Sequence, residues 1–172
     1  MSGIIGVSPD MKSGVVGAFP AGSVIQQVSA VAGSNVGYTK SGSGDYADIV
    51  SKSITPRFSG SDIYIACKTV VRVPTLTASS QWFTFQVERR TVGEAVNAGD
   101  NIRSGMYAGT NESEGDTSRD WYIGYSYTLA DTDHTASGTD LITYAFQFLP
   151  DYDGTWTAQH GSSIVLTEVA PL

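Results

Sequence analysis

Between Asp62 and Val73 every second residue is apolar or small: Ile63, Ile65, Cys67, Thr69, Val71 and Val73. Spacing of two puts all six side chains on one face of an extended strand, whereas a helix would scatter them around its circumference. Residues 81–91 repeat the pattern, with Phe83, Phe85 and Val87 on one face and Thr84, Gln86 and Glu88 on the other. A one-faced apolar strand must bury that face against a second layer. The chain is therefore expected to pack sheet on sheet.

The rest of the sequence agrees. Strand-like runs fall at residues 22–29, 46–55, 101–107, 141–149, 154–160 and 162–169. In another, Trp121, Ile123, Tyr125, Tyr127 and Leu129 share a face. Residues 33–44 read as a loose Gly/Ser loop, and residues 91–98 as one helical turn. Asp151-Tyr152-Asp153-Gly154 has the composition of a turn. Eight or nine strands with turn signals between them predict an all-β protein, a two-sheet β-sandwich or jelly roll spanning residues 22–172. At 172 residues the chain is expected to form one domain, large enough to bury roughly 70% of its unfolded surface without staples. Only 16% of residues are charged, and Ser, Thr and Gly fill the gap.

Residues 1–21 read differently. Ser2-Gly3-Ile4-Ile5-Gly6 is echoed by Ser13-Gly14-Val15-Val16-Gly17, and Phe19-Pro20-Ala21-Gly22 follows. Each echo sets an apolar pair between glycines, too short for a helix and too poor in side chains to bury itself. It reads as an extended arm that orders against a partner through Ile4, Ile5, Val15, Val16 and Phe19, the alternative being an added edge strand packed on the chain's own β-body.

Chemistry-bearing patterns are few. The net charge of −7 and the absence of a Lys/Arg cluster denser than Arg89-Arg90 argue against nucleic-acid binding. No run reaches the ~18 apolar residues of a membrane span, and the start has no signal-peptide pattern. The single cysteine, Cys67, forms no internal disulfide and reads as a buried hydrophobe. His134 and His160 lie in Gly/Ser/Thr-rich surroundings with no serine elbow, so neither is expected to be catalytic. Asp131-Thr132-Asp133-His134 and Asp151-Tyr152-Asp153 lack the full oxygen set of a calcium loop and read as solvated turns. One cysteine and two distant histidines make no zinc set. No cofactor, metal or enzymatic activity is expected. Trp82, Tyr122 and Trp156 are the candidates for subunit contact or ligand stacking, with plain core as the alternative where both sheet faces are covered.

The opening from Ser2 to Gln26, the strand end Ser53-Ile54-Thr55-Pro56 followed by Ser61-Asp62-Ile63-Tyr64-Ile65, and the close Gly161-Ser162-Ser163-Ile164-Val165-Leu166-Thr167-Glu168-Val169 together resemble small virion proteins of tailed, largely aquatic bacteriophages. The resemblance is specific at the two ends. It implies a trimerising jelly-roll module of capsid decoration (cement), head fibres or tail fibres, made in the host bacterial cytoplasm and carried on the virion. It also implies, as partners, other copies of the chain and the major capsid protein or another virion protein. The alternative is a tail-fibre tip that binds a host receptor or surface glycan, and a third reading is a glycan depolymerase. A start at Met1 followed by only a short arm, with no heptads or collagen triplets, favours decoration over a fibre tip.

Overall fold

The computed structural model describes residues 20–42, 44–73, 81–110, 121–136, 140–151 and 154–171. Ten strands occupy them: β1 (Val24–Val31), β2 (Val36–Lys40), β3 (Ala47–Ile54), β4 (Asp62–Val73), β5 (Gln81–Arg90), β6 (Asp100–Thr110), β7 (Trp121–Asp131), β8 (Ile142–Pro150), β9 (Gly154–Ala158) and β10 (Ser163–Val169). All pairings are antiparallel. One sheet runs β1-β10-β4-β7, and the other β3-β8-β5-β6. Successive strands of the core eight cross from one sheet to the other except at the β5–β6 hairpin, and the first and last pair with each other. This strand order is that of a jelly roll, and the fold is a two-sheet β-sandwich.

Two differences from the sequence expectation stand out. The 33–44 stretch holds β2, which pairs with β9, Val36 opposite Ala158 and Lys40 opposite Gly154. With β1 against β10, this makes one broken ribbon along the sheet. Its five residues bury one face only partly, so alternation within them was too short to read. Residues 91–98 form two successive turns, not a helical turn. Glu94 N–H donates to the Thr91 carbonyl and Ala98 N–H to that of Ala95. Positive φ falls on the third residue of each, Gly93 at 89° and Asn97 at 64°, the signature of type II turns, which favour Gly or Asn there.

The inner faces meet in an aromatic core. Phe85 on β5 stacks on Tyr125 from the facing sheet, centroids 4.3 Å apart, and on its neighbour Phe146 at 5.3 Å. Phe83 meets Phe85 and Trp156 edge to face at 5.4 and 5.7 Å. Ile63, Ile65, Val71, Ile164 and Leu166 fill the opposite wall, all fully buried. The faces assigned from alternation in β4 and β5 are thus those that pack.

One buried carboxylate fastens the β3–β4 connection. Glu168, with no exposed surface, accepts hydrogen bonds from Arg57 N–H (2.8 Å), Phe58 N–H (3.2 Å), Ser61 Oγ (2.9 Å) and Gln26 Nε2 (2.7 Å). Such charge-assisted bonds are the stronger kind.

Cys67 is buried on the inner face of β4, and burial pushes its thiol up from 9.0 to about 12. A thiol raised on folding favours the native state below its unfolded value and loses that contribution as pH climbs to the folded one. Stability should therefore fall between pH 9 and about 12. Cys67→Ala should flatten that part of the urea-midpoint profile. An unchanged profile in the variant contradicts the assignment, as does rapid reaction of the native thiol with a disulfide reagent at pH 8.

Candidate functional site

The outward face of β5 carries Trp82, Thr84, Gln86, Glu88 and Arg90. In an ordinary sandwich this face meets water, yet Thr84, Gln86, Glu88 and Arg90 are all buried. Cover over Gln86, Glu88 and Arg90 comes in part from the 91–99 connection, which folds back across the sheet. Asn97 Nδ2 donates to the Tyr46 carbonyl (3.0 Å), and Gly99 N–H to Glu88 Oε1 (2.8 Å). Gly99 is required there, because a Cβ would collide with the Arg89 carbonyl.

Beneath this cover lies a continuous polar network. Asn101 Nδ2 donates to Gln86 Oε1 at 2.8 Å, and Gln86 Nε2 donates to Gln147 Oε1 at 2.6 Å. Gln147 Nε2 is shared between Asp48 Oδ1 at 2.8 Å and Asn97 Oδ1 at 3.3 Å. Arg90 grips Asp48 with two nitrogens, at 2.8 and 2.6 Å, and Glu88 Oε2 with Nε and Nη2. Its bond to Asp48 holds the guanidinium above its ordinary value, burial works against this, and Glu88 adds to it. Every buried member is thus partnered, as such networks require.

Above the network runs a groove of about 310 Å³, lined by Gly44, Asp45, Tyr46, Gln86, Glu88, Asn97, Gly99, Asn101 and Leu149. Asn97, in the left-handed region, is the one non-glycine residue with positive φ among those described. Amides, carboxylates and bare backbone line this groove, with one aliphatic wall from Leu149.

Other candidate residues have other fates. Trp156 is 1% exposed and packs edge to face on Phe83. The expectation that it contacts a subunit or ligand is corrected: β9 pairs beside β4, so Trp156 turns into the core. Tyr122 is 59% exposed on the outer face of the β1-β10-β4-β7 sheet, opposite Arg72 and next along from Val70. Trp82 is half-buried on the outer face of the other sheet, so the structure brings none of the three together. Ile4, Ile5, Val15, Val16 and Phe19 lie outside the described residues.

The expectation of a solvated turn at Asp131-Thr132-Asp133-His134 is corrected, because Asp131 and His134 are buried. Asp131 is buried, takes both its oxygens to Arg89 Nη1 (3.0 and 2.9 Å), and accepts the Tyr144 hydroxyl at 2.7 Å. Those bonds commit the carboxylate to closing the end of the core. Burial, then the Asp131 bond, push the Tyr144 hydroxyl well above its ordinary value. Among the described residues no three His, Cys, Asp or Glu side chains gather to hold a metal. His134 is buried and His160 is exposed beside Asn35, so the two do not form a shared site.

Sequence reasoning assigned Gln86 and Glu88 to the second face of β5 but not to a site. The signal was there in part: Val92-Gly93-Glu94 and Val96-Asn97-Ala98 are two turn-forming triplets in a row. What they fold onto is a tertiary fact.

No family model matches the chain, and no curated protein matches it. Among solved structures it is similar to the infectious bursal disease virus VP2 subviral particle, at 12% identity and TM-score 0.44 over 98% of this chain and 38% of that one. It is likewise similar to the crystal structure of the infectious bursal disease viral particle, at 12% identity and TM-score 0.45 over 98% and 36%. The chain spans little more than a third of the length of those proteins.

Proposed function

We propose that this protein is a non-enzymatic structural component of a virus particle. In its finer form it is a homotrimeric capsid-decoration or head-fibre protein of a tailed bacteriophage, held to the shell through residues 1–21. The observation that carries the reading is the strand order. The two ends of the sequence resemble phage virion proteins, that resemblance implies a jelly roll, and the sheets β1-β10-β4-β7 and β3-β8-β5-β6 have that order. Fold alone assigns no function, so the end motifs and the topology count together. Exposed Tyr64, Val70 and Tyr122 on one sheet face supply apolar surface of the kind that subunit contacts cover.

Two measurements test this. Mass spectrometry of purified particles from a phage encoding the chain should find it in the virion, and its absence overturns the reading. Light scattering of the purified protein should give about three times the 18.2 kDa chain mass. A monomer at micromolar concentration overturns the trimer.

A further inference from the structure

We infer that the groove over β5 and β6 binds a neutral saccharide. Its size falls at the low end of small-ligand sites, roughly 300–1,000 Å³. Its lining has the chemistry of vicinal hydroxyl recognition. Amide groups donate and accept side by side, as adjacent sugar hydroxyls require.

Valence counting shows what remains to offer. Asn101 is exposed and spends one amide hydrogen on Gln86. It keeps its other amide hydrogen and its carbonyl oxygen free of partners among the described residues. Asn97 spends one amide hydrogen on the Tyr46 carbonyl and keeps the other. Both are pre-set. Gln86 and Gln147 hold them from below, and the type II turn fixes Asn97. A preordered donor set binds with less entropic loss than a mobile one. A Cβ at Gly44 would strike the Tyr38 hydroxyl and one at Gly99 the Arg89 carbonyl, so both positions present bare backbone. Leu149 gives a C–H face an apolar wall.

Charge selects against anionic ligands. Glu88 and Asp45 line the groove, and no lysine or arginine does. Arg90, the nearest cation of the network, is spent on Asp48 and Glu88. A phosphate, sulfate or uronic acid would meet carboxylates and no cation in the groove's lining; Lys40, behind Gly44, turns its ammonium to the Asp151 carbonyl at 2.7 Å. Trp82 stands on the same strand face about 13 Å from Gln86, at ~3.3 Å per residue. That places an aromatic surface two or three sugar rings along from the amides.

The inference rests on the virion reading only for the source of the glycan, a host surface. The test is a printed array of neutral hexose and N-acetylhexosamine oligosaccharides beside uronic-acid-bearing ones, probed with the full chain. Binding should be confined to neutral glycans. Asn101→Ala also leaves Gln86 Oε1 without its donor, so it should lower the melting temperature somewhat while keeping the β circular-dichroism spectrum, and it should lower binding at least tenfold, while Tyr122→Ala on the opposite sheet leaves binding intact. Silence on all neutral glycans, preference for acidic ones, or full binding by Asn101→Ala overturns the inference. So does a change of oligomeric mass in Asn101→Ala, since the groove would then hold a neighbouring chain. Particle mass spectrometry is independent of all these outcomes, so the two readings fail separately.

Discussion

Phe85→Ala should lose about 3–5 kcal/mol of stability, a large share of the roughly 5–15 kcal/mol a domain has. Phe85 is fully buried and holds together three rings from two sheets: Tyr125, Phe146 and Phe83. Truncation removes its transfer term and opens a cavity that stacked rings on rigid strands cannot collapse to fill. The measurement is the urea midpoint at constant slope. A loss below about 1.5 kcal/mol, the range of tolerated core swaps, would show that the sheets close over the gap.

Arg90→Met should cost a similar amount by another route. It keeps most of the stem volume but strips two carboxylates of their cation. Glu88 is nearly inaccessible and Asp48 largely covered. Breaking a buried pair from one side typically costs about 3–5 kcal/mol, because an uncompensated charge stays behind. The diagnosis lies in the second substitution. Glu88→Gln alone should destabilise, since it weakens the grip of Arg90. In the Arg90→Met background it should restore part of the loss, since it removes the stranded charge. Strictly additive effects in this cycle would mean that the network carries no coupling.

These two residues also show what the sequence made legible. Phe85 was readable as core from alternation alone, as were Ile63, Ile65 and Val87, because a period of two in β4 and β5 leaves one face for the interior. Arg90 was visible only as half of a basic pair. Its neighbour Arg89 turns inward and bridges to Asp131 on the facing sheet, while Arg90 turns outward under the 91–99 connection. Alternation in β5 puts them on opposite faces, but it does not show their partners about forty positions away in each direction, Asp48 and Asp131. Trp156 failed for the same reason. Its five-residue strand shows no clear period, and only pairing with β2 and β4 turns it inward. The groove was least legible of all, being made where two turns meet a sheet face that alternation assigns to solvent.

Pairing of β1 with β10, Val24 opposite Val169 and Val31 opposite Ser163, has a consequence for timing. During synthesis β1 emerges before every other described strand, and its sheet partner β10 after all of them. At roughly 5–20 residues per second the wait is on the order of ten seconds or more. Through that interval the β1-β10-β4-β7 sheet cannot close, because β10 is also the strand that joins β1 to β4. Such long-range closure is intrinsically slow. The sandwich therefore has no finished surface until the last of its ten described strands has emerged.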